Sequence, residues 1–329
     1  MNLYFFYFFG SLLLLLLFIN SKKISLIFKL YKKPGDNTPL TGGLGIYFFF
    51  LISVFYIYLH DERLFISNLN LIITASVIFL IGILDDILND KYKIRLSSIF
   101  ILIILFLQLD NKFLISQLYF ETLDSTFILD KSSIFLTGFF ILLLLNSLNM
   151  ADGINGNSGI IFLTYLVLLY DENNELNYFI NFIFISLIIF LFFNLKNKLY
   201  MGDSGIYFVS FLISLYTISS YNFGTSNLSS EKIFLIFMIP GIDMFRLFCL
   251  RLYNKKNPFK GDLYHLHHLL IKSFDLKYAL IIYLLLIVWP NLVNKIFDID
   301  IFFLIFINLI IYFSLISNIM KFKIKNIFK

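Results

Sequence analysis

Charge is scarce in this chain. Asp, Glu, Lys and Arg make up 14% of its 329 residues, against about a quarter in an ordinary soluble domain. With 59% hydrophobic residues and a mean hydropathy of +0.86, the chain is too apolar to be a water-soluble globule. Cysteine is nearly absent: the single Cys249 lies in an apolar run, which excludes a disulfide framework and a thiolate metal cluster. No internal repeat shows in the motifs or loop lengths, which argues against an inverted-repeat transporter fold. The opening apolar block, Asn2 to Asn20, lacks both a preceding charged region and a following small-residue cleavage site. A first transmembrane helix is expected there rather than a secretory signal.

What is present is a series of apolar blocks joined by short polar loops. A bilayer takes about 20 residues of helix to cross, and lipid-exposed backbone must satisfy its own hydrogen bonds, so each block is expected to be helical. About eleven spans are predicted by that length, over residues 3–20, 42–59, 65–84, 96–109, 133–150, 157–170, 177–194, 205–220, 232–252, 276–293 and 300–319. The predicted fold class is an all-α polytopic integral membrane protein, with residues 1–329 forming one membrane-embedded domain.

The positive residues have a topological reading. With the N-terminus outside, the inner loops hold Lys22, Lys23, Lys29, Lys32, Lys33, Lys91, Lys93, Arg95, Lys196, Lys198, Arg251, Lys255, Lys256, Lys260, Lys272, Lys321, Lys323, Lys325 and Lys329. The outer loops hold only Arg63, Lys112, Lys131, Lys232 and Lys295. The positive-inside rule then predicts an outer N-terminus and an inner C-terminus. The net charge of +5 is thereby explained without a nucleic-acid partner. The same orientation gathers the unusual polar chemistry on the inner side, in loops at about 31–45, 85–95, 146–159, 196–205 and 254–272. The outer loops at 111–132 and 222–231 read as ordinary connectors.

Five motifs stand on that inner side. Asp85 and Asp86 close the third predicted span, with Lys91, Lys93 and Arg95 following. Adjacent carboxylates at a membrane boundary are costly unless a cation is bound or one is protonated. As helix neighbours they point about 100° apart and are expected to serve different partners. The string from Asn146 through Asn149, Asp152 and Asn155 to Gly156 carries more carboxamides, carboxylates and glycines than a helix cap requires. Asp203 and Ser204, before the eighth span, read either as an N-cap or as a Mg²⁺ site beside a phosphate. His265, His267 and His268 are three of the four histidines and follow Asp262 closely. Zinc is the first alternative for such a cluster, but hard Asp oxygens and the absence of a nearby thiol favour neutral or protonated imidazoles donating to a diphosphate and sugar. Gly42-Gly43 reads as a plain turn or a close-packing site. Oxygen-rich sites that retain water suit Mg²⁺ shared with substrate phosphates, and phosphoryl-type transfer needs a metal, cations and a positioned base together.

In order along the chain, TPLTGG, GILDD, NSLNMADGING, MGDSG and DMFRLFCLRLYNKKNPFKGDLYHLHH resemble the polyprenyl-phosphate N-acetylhexosamine-1-phosphate transferase family. That family includes the lipid I-forming translocase of peptidoglycan synthesis. Asp243, Arg246, Pro258-Phe259, Asp262 and the His-x-His-His spacing are similar to the branch that uses UDP-N-acetylglucosamine or related sugars. The resemblance implies attack by a polyprenyl phosphate, undecaprenyl phosphate in bacteria, on a UDP-sugar, with release of UMP. It implies a site on the cytoplasmic face of the bacterial inner membrane, a periplasmic N-terminus, and a start to a lipid-linked cell-envelope glycan. It also implies Mg²⁺, or Mn²⁺ in its place, the two substrates and the bilayer as partners, and room for a homodimer. By family role Asp203 holds the metal with Asn149 assisting, and Asp85 and Asp86 act near the lipid phosphate as candidate bases. Arg95 holds a phosphate, Tyr200 stacks on uracil, Asn155 reads the base edge, and Asp152 is a substrate-binding residue. Arg246, His265, His267 and His268 contact the diphosphate or sugar. Two departures are visible: Asn155 stands where bacterial members usually carry Asp, and Lys32-Lys33-Pro34-Gly35 replaces a usual Arg and His. The competing expectations are a transporter of polar solutes, for which Asp243 inside a span is the chief support, and an inactive homologue.

Overall fold

The computed structural model describes residues 3–31, 38–88, 92–224, 228–258 and 262–327. The Lys32 to Gly35 departure, Lys91 and the Phe259 to Gly261 stretch lie outside the described residues. The chain folds in order through α1 (Leu3–Ile19), α2 (Ser21–Phe28), α3 (Gly42–His60), α4 (Glu62–Ser67), α5 (Leu69–Leu88) and α6 (Tyr92–Leu109). A hairpin of β1 (Gln117–Phe120) and β2 (Ser125–Ile128) precedes α7 (Ser133–Ala151), α8 (Asn157–Leu168), α9 (Asn177–Asn194) and α10 (Gly202–Phe223). The rest is α11 (Ser230–Tyr253), α12 (Leu266–Ile271), α13 (Leu276–Phe297) and α14 (Ile301–Ile327).

Each stretch predicted to span is occupied by a helix. Among the described residues eight helices, α3, α5, α7, α9, α10, α11, α13 and α14, are long and apolar enough to cross a bilayer. The α1–α2 pair qualifies only together, across a 67° bend, and α6 and α8 are shorter apolar helices. The protein is therefore a helical, multi-pass membrane protein.

α10 is the axis of the bundle. It packs against α3, α5, α7, α8 and α9, and 83% of its hydrophobic window is buried. Its serines and threonines suit that position because small residues let helices approach closely without lipid between them. Two of their hydroxyls bond within the helix: Ser214 Oγ donates to the Ser210 carbonyl at 2.8 Å and Thr217 Oγ1 to that of Ile213 at 2.7 Å. Glycine sets the closest approach, which decides the role of the Gly42-Gly43 pair. A Cβ on Gly43 would stand 2.4 Å from Gly205 N, and one on Gly82 would stand 2.3 Å from Ser204 Cα. The N-terminal end of α10 is thus pressed against α3 and α5.

Of the boundaries that differ from the sequence expectation, two bear on the polar motifs. α5 continues through Asp85 and Asp86 to Leu88, so the aspartates sit in its last turns rather than beyond it. α10 begins at Gly202, which puts Asp203 and Ser204 inside its first turn. The connector 111–132 also holds the β1–β2 hairpin, paired antiparallel from Gln117 opposite Ile128 to Phe120 opposite Ser125. Tyr221 and Glu231 dock it: the Tyr119 amide donates to Tyr221 Oη at 2.7 Å and the Thr122 amide to Glu231 Oε1 at 2.9 Å.

Candidate active site

The first turn of a helix has backbone N–H groups without intrahelical partners. At α10 the N-cap residue is Met201, whose side chain makes no cap bond. The acceptor comes from another helix. Asp86 Oδ1 accepts from the Asp203 amide at 2.8 Å and Asp86 Oδ2 from the Ser204 amide at 3.1 Å. Gly202 makes this possible: its φ is +78°, and a Cβ there would meet Asp86 Oδ2 at 2.7 Å. Asp203 and Ser204 do not cap α10; they are the residues being capped.

Asp85 faces a different partner, as the angular separation of helix neighbours requires. Its Oδ2 is paired with Arg95 Nη1, and the same nitrogen lies 3.1 Å from Asp203 Oδ2. The guanidinium also stands 5.3 Å from the centre of the Tyr207 ring, and Tyr207 Oη accepts from Asn149 Nδ2 at 2.8 Å. Asp85, Asp86, Arg95, Asn149 and Asp203 thus form one cluster at the joined ends of α5, α6, α7 and α10. The cluster is not self-sufficient: Asp85 Oδ1 and Arg95 Nε are buried with no hydrogen-bond partner among the described residues.

The donor set suits a hard cation. Asp203 has a third of its side chain exposed, and Asn149 turns its amide nitrogen to Tyr207 and keeps its amide oxygen. All of these are oxygens, which fits Mg²⁺ or Mn²⁺ rather than a thiophilic metal. Among the described residues no three His, Cys, Asp or Glu side chains are grouped to hold a metal ion by themselves.

Beside the cluster lies a cavity of about 290 Å³ lined by Asp152, Gly153, Ile154, Asn155, Asn194, Tyr200, Ile271 and Leu276. Its walls are fixed by amide side chains. Asn194 Oδ1 accepts from the Gly156 amide at 2.6 Å, and its Nδ2 donates to the Leu199 carbonyl at 2.9 Å. Asn155 Nδ2 pairs with Asn197 Oδ1, and Ser158 Oγ donates to Asp152 Oδ1 at 2.6 Å. Tyr200 is held by its backbone, donating to the Pro39 carbonyl at 2.8 Å and accepting from the Gly42 amide at 2.9 Å. Asn194 and Asn197 escaped the sequence reading because an asparagine at a helix end looks like an ordinary cap.

The histidine segment forms the third part, anchored on Asp243. Asp243 Oδ2 lies 2.8 Å from His265 Nδ1, and its Oδ1 accepts from Tyr312 Oη at 2.7 Å and Arg246 Nη2 at 2.8 Å. The Leu266 amide donates to both oxygens, at 3.2 and 3.1 Å. Arg246 is further committed through Nε to Tyr312 Oη at 2.9 Å and through Nη2 to the Tyr264 carbonyl at 2.7 Å. Asp243 is therefore a scaffold inside the bundle rather than a station on a transport path. Arg251, unrecognised in the sequence, holds the segment's start: Nε donates to Asp262 Oδ2 and Nη1 to the Pro258 carbonyl, both at 2.8 Å. Burial would raise the Asp262 carboxyl, but its bonds from Arg251 and the Tyr264 amide outweigh this and hold it below the usual carboxylate range.

His267 is the inward residue of this segment. It is fully buried, and neither ring nitrogen has a partner among the described residues. Burial, with lesser contributions from His268 and His265, pushes its pKa down to about 3, so of the two protonation states expected it is neutral. A Cβ on Gly153 would fall 2.0 Å from His267 Nε2 and 2.7 Å from His268 Nε2. That glycine is what lets the cavity wall lie against the histidines. A larger cavity, about 810 Å³ beside the hairpin, is lined by none of the predicted site residues.

A profile of glycosyl transferase family 4 matches residues 68–221, which include the first cluster and most of the cavity wall but stop before Arg246 and the histidines. The undecaprenyl-phosphate alpha-N-acetylglucosaminyl 1-phosphate transferase of Escherichia coli (strain K12) is 26% identical over 267 residues, covering 77% of this chain and 71% of the relative. The enzyme of that name from Salmonella typhimurium is 26% identical over 279 residues, with 77% and 72% covered. The phospho-N-acetylmuramoyl-pentapeptide-transferase of Dictyoglomus thermophilum is 28% identical over 277 residues, with 78% and 84% covered. Over that stretch, just under half of its length, the chain is similar to glycosyl transferase family 4.

Proposed function

We propose that this protein transfers an N-acetylhexosamine 1-phosphate, with UDP-N-acetylglucosamine as the preferred donor, to a polyprenyl phosphate such as undecaprenyl phosphate. UMP is released, and the product starts a lipid-linked cell-envelope glycan. The observation that carries this reading is the meeting of three parts at one end of a membrane bundle. They are the Asp85–Arg95–Asp203 cluster, a cavity of about 290 Å³ walled by Asp152, Asn155 and Tyr200, and the Asp243-anchored histidines. The concentration of Lys and Arg on the same side supports eleven spans with a periplasmic N-terminus and a cytoplasmic site in the bacterial inner membrane. The whole chain acts as one membrane-embedded transferase unit.

In the reaction a phosphate oxygen of the lipid attacks the sugar-bearing phosphorus. The bond from that phosphorus to the bridging oxygen breaks, and UMP leaves with the electron pair. Tyr200 and Asn155 orient the uridine, and Asp152 steadies the same wall through Ser158. Arg95 exchanges part of its pairing with Asp85 and Asp203 for a phosphate oxygen, which its planar donor fork suits. Asp85, one oxygen of which is unpartnered, takes up any proton carried by the lipid phosphate. His265, His267 and His268 border the diphosphate and sugar, with Arg246 holding His265's anchor in place. Mg²⁺, held by Asp203 with Asn149, would supply charge neutralisation for the diphosphate. The test is UMP release by the purified protein with polyprenyl phosphate and Mg²⁺ across a panel of UDP-sugars. Release with UDP-N-acetylglucosamine that requires the lipid phosphate is expected; no release with any UDP-N-acetylhexosamine contradicts the proposal.

A further inference from the structure

The Asp85–Asp86 pair looks in the sequence like two candidate bases, yet the two side chains are placed for different work. We infer that Asp86 is a positioning residue that holds the catalytic end of α10, leaving Asp85 as the carboxylate of the pair that faces the reactants. This rests on the transferase reading above and divides labour within its site.

Both oxygens of Asp86 are taken up by one task. Oδ1 receives the Asp203 amide at 2.8 Å and Oδ2 the Ser204 amide at 3.1 Å. These are first-turn donors with no partner of their own in the helix, at the end where the helix dipole favours negative charge. No residue of α10 substitutes for it, since Met201 occupies the cap position and its side chain makes no cap bond. The packing leaves α10 no other seat: Gly82, one turn before Asp86 on α5, has Ser204 Cα where its Cβ would be, and Gly43 has Gly205 N there. Asp86 therefore fixes the height and rotation of the first turn of α10, and with it the direction in which Asp203 points. Asp85 has no such duty. One of its oxygens pairs with Arg95 and the other is buried and unpartnered, which is the state of a group waiting for a ligand.

The experiment compares wild type, Asp86→Asn, Asp86→Ala, Asp85→Asn and Asp85→Ala in one detergent, by thermal unfolding and by UMP release as Mg²⁺ is varied. A carboxamide keeps one acceptor oxygen, so Asp86→Asn is expected to retain turnover within about tenfold of wild type, and to need several-fold more Mg²⁺ for half its maximal rate. Asp86→Ala, with two amides uncapped, is expected to lose about tenfold more and to melt well below Asp85→Ala. Asp85→Asn is expected to lose turnover as fully as Asp85→Ala, with little change in melting. The inference is overturned if Asp86→Asn is as inactive as Asp86→Ala at every Mg²⁺ concentration, or if Asp85→Ala melts below Asp86→Ala. If wild type itself releases no UMP, the transferase reading fails on its own, and the order of the melting temperatures still decides the role of Asp86.

Discussion

Two carboxylate clusters sit at the same end of the bundle, and they are finished to different degrees. Around Asp243 both oxygens are occupied, by Arg246, Tyr312, His265 and the Leu266 amide. Around Asp85 and Asp203 charges are paired through a single Arg95 nitrogen, while Asp85 Oδ1 and Arg95 Nε are left without partners. A buried polar group left unsatisfied costs roughly 1–3 kcal/mol, so the fold tolerates that cost at Asp85 and Arg95 and avoids it at the Asp243 carboxylate. A saturated cluster anchors the chain, whereas an unsaturated one is completed by what binds. Asp86 is the intermediate case, a carboxylate in the reactive cluster that is itself fully used.

The contrast can be tested by removing each hub in turn. The largest effect is expected at Asp203: Asp203→Ala should lower UMP release by about a thousandfold or more, the scale of a lost electrostatic contact to the reacting phosphate, with little change in melting temperature. Asp243→Ala should act oppositely. It strands a buried Arg246, whose side chain is 9% exposed, and is expected to cost about 3–5 kcal/mol of stability, seen as a lower melting temperature and faster proteolysis around His265. Gly153→Ala should fall between these, because its methyl group would displace His267; a loss of about tenfold to a hundredfold in turnover with modest destabilisation is expected.

The smallest effect concerns pH. His267 has a folded pKa of about 3 against an ordinary 6.5, so between those values the unfolded chain binds the proton that the folded chain refuses. Its contribution to stability is present above pH 6.5 and is lost as pH falls toward 3. Melting temperature should therefore decline on acidification below pH 6.5, and His267→Gln should flatten that decline.

Much of this architecture was legible in the sequence because lipid enforces it. Apolar blocks such as 42–59 and 177–194 must be helices, and α3 and α9 occupy them almost residue for residue. The candidate site was legible as a set of motifs, and the structure brings Asp85, Arg95, Asn149 and Asp203 near one another. What escaped is what depends on distant pairs. The cap of α10 joins residues 117 apart in sequence, and no local pattern announces it; the local reading assigned the cap to Asp203 and Ser204 instead. Asp243 read as a lone charge in a span because its partners, His265 and Tyr312, lie 22 and 69 residues away. The hairpin escaped for another reason: its strands are four residues each, too short for an alternating pattern to stand out.

On the proposed function, the Asp85–Asp203 cluster serves the reaction and the Asp243 carboxylate serves the structure. The most direct test measures UMP release and melting temperature on the same preparations of Asp203→Ala and Asp243→Ala. Asp203→Ala is expected to keep the wild-type melting temperature and lose turnover, while Asp243→Ala is expected to lose several degrees of melting temperature. Asp203→Ala that turns over like wild type, or Asp243→Ala that melts like it, would contradict the account.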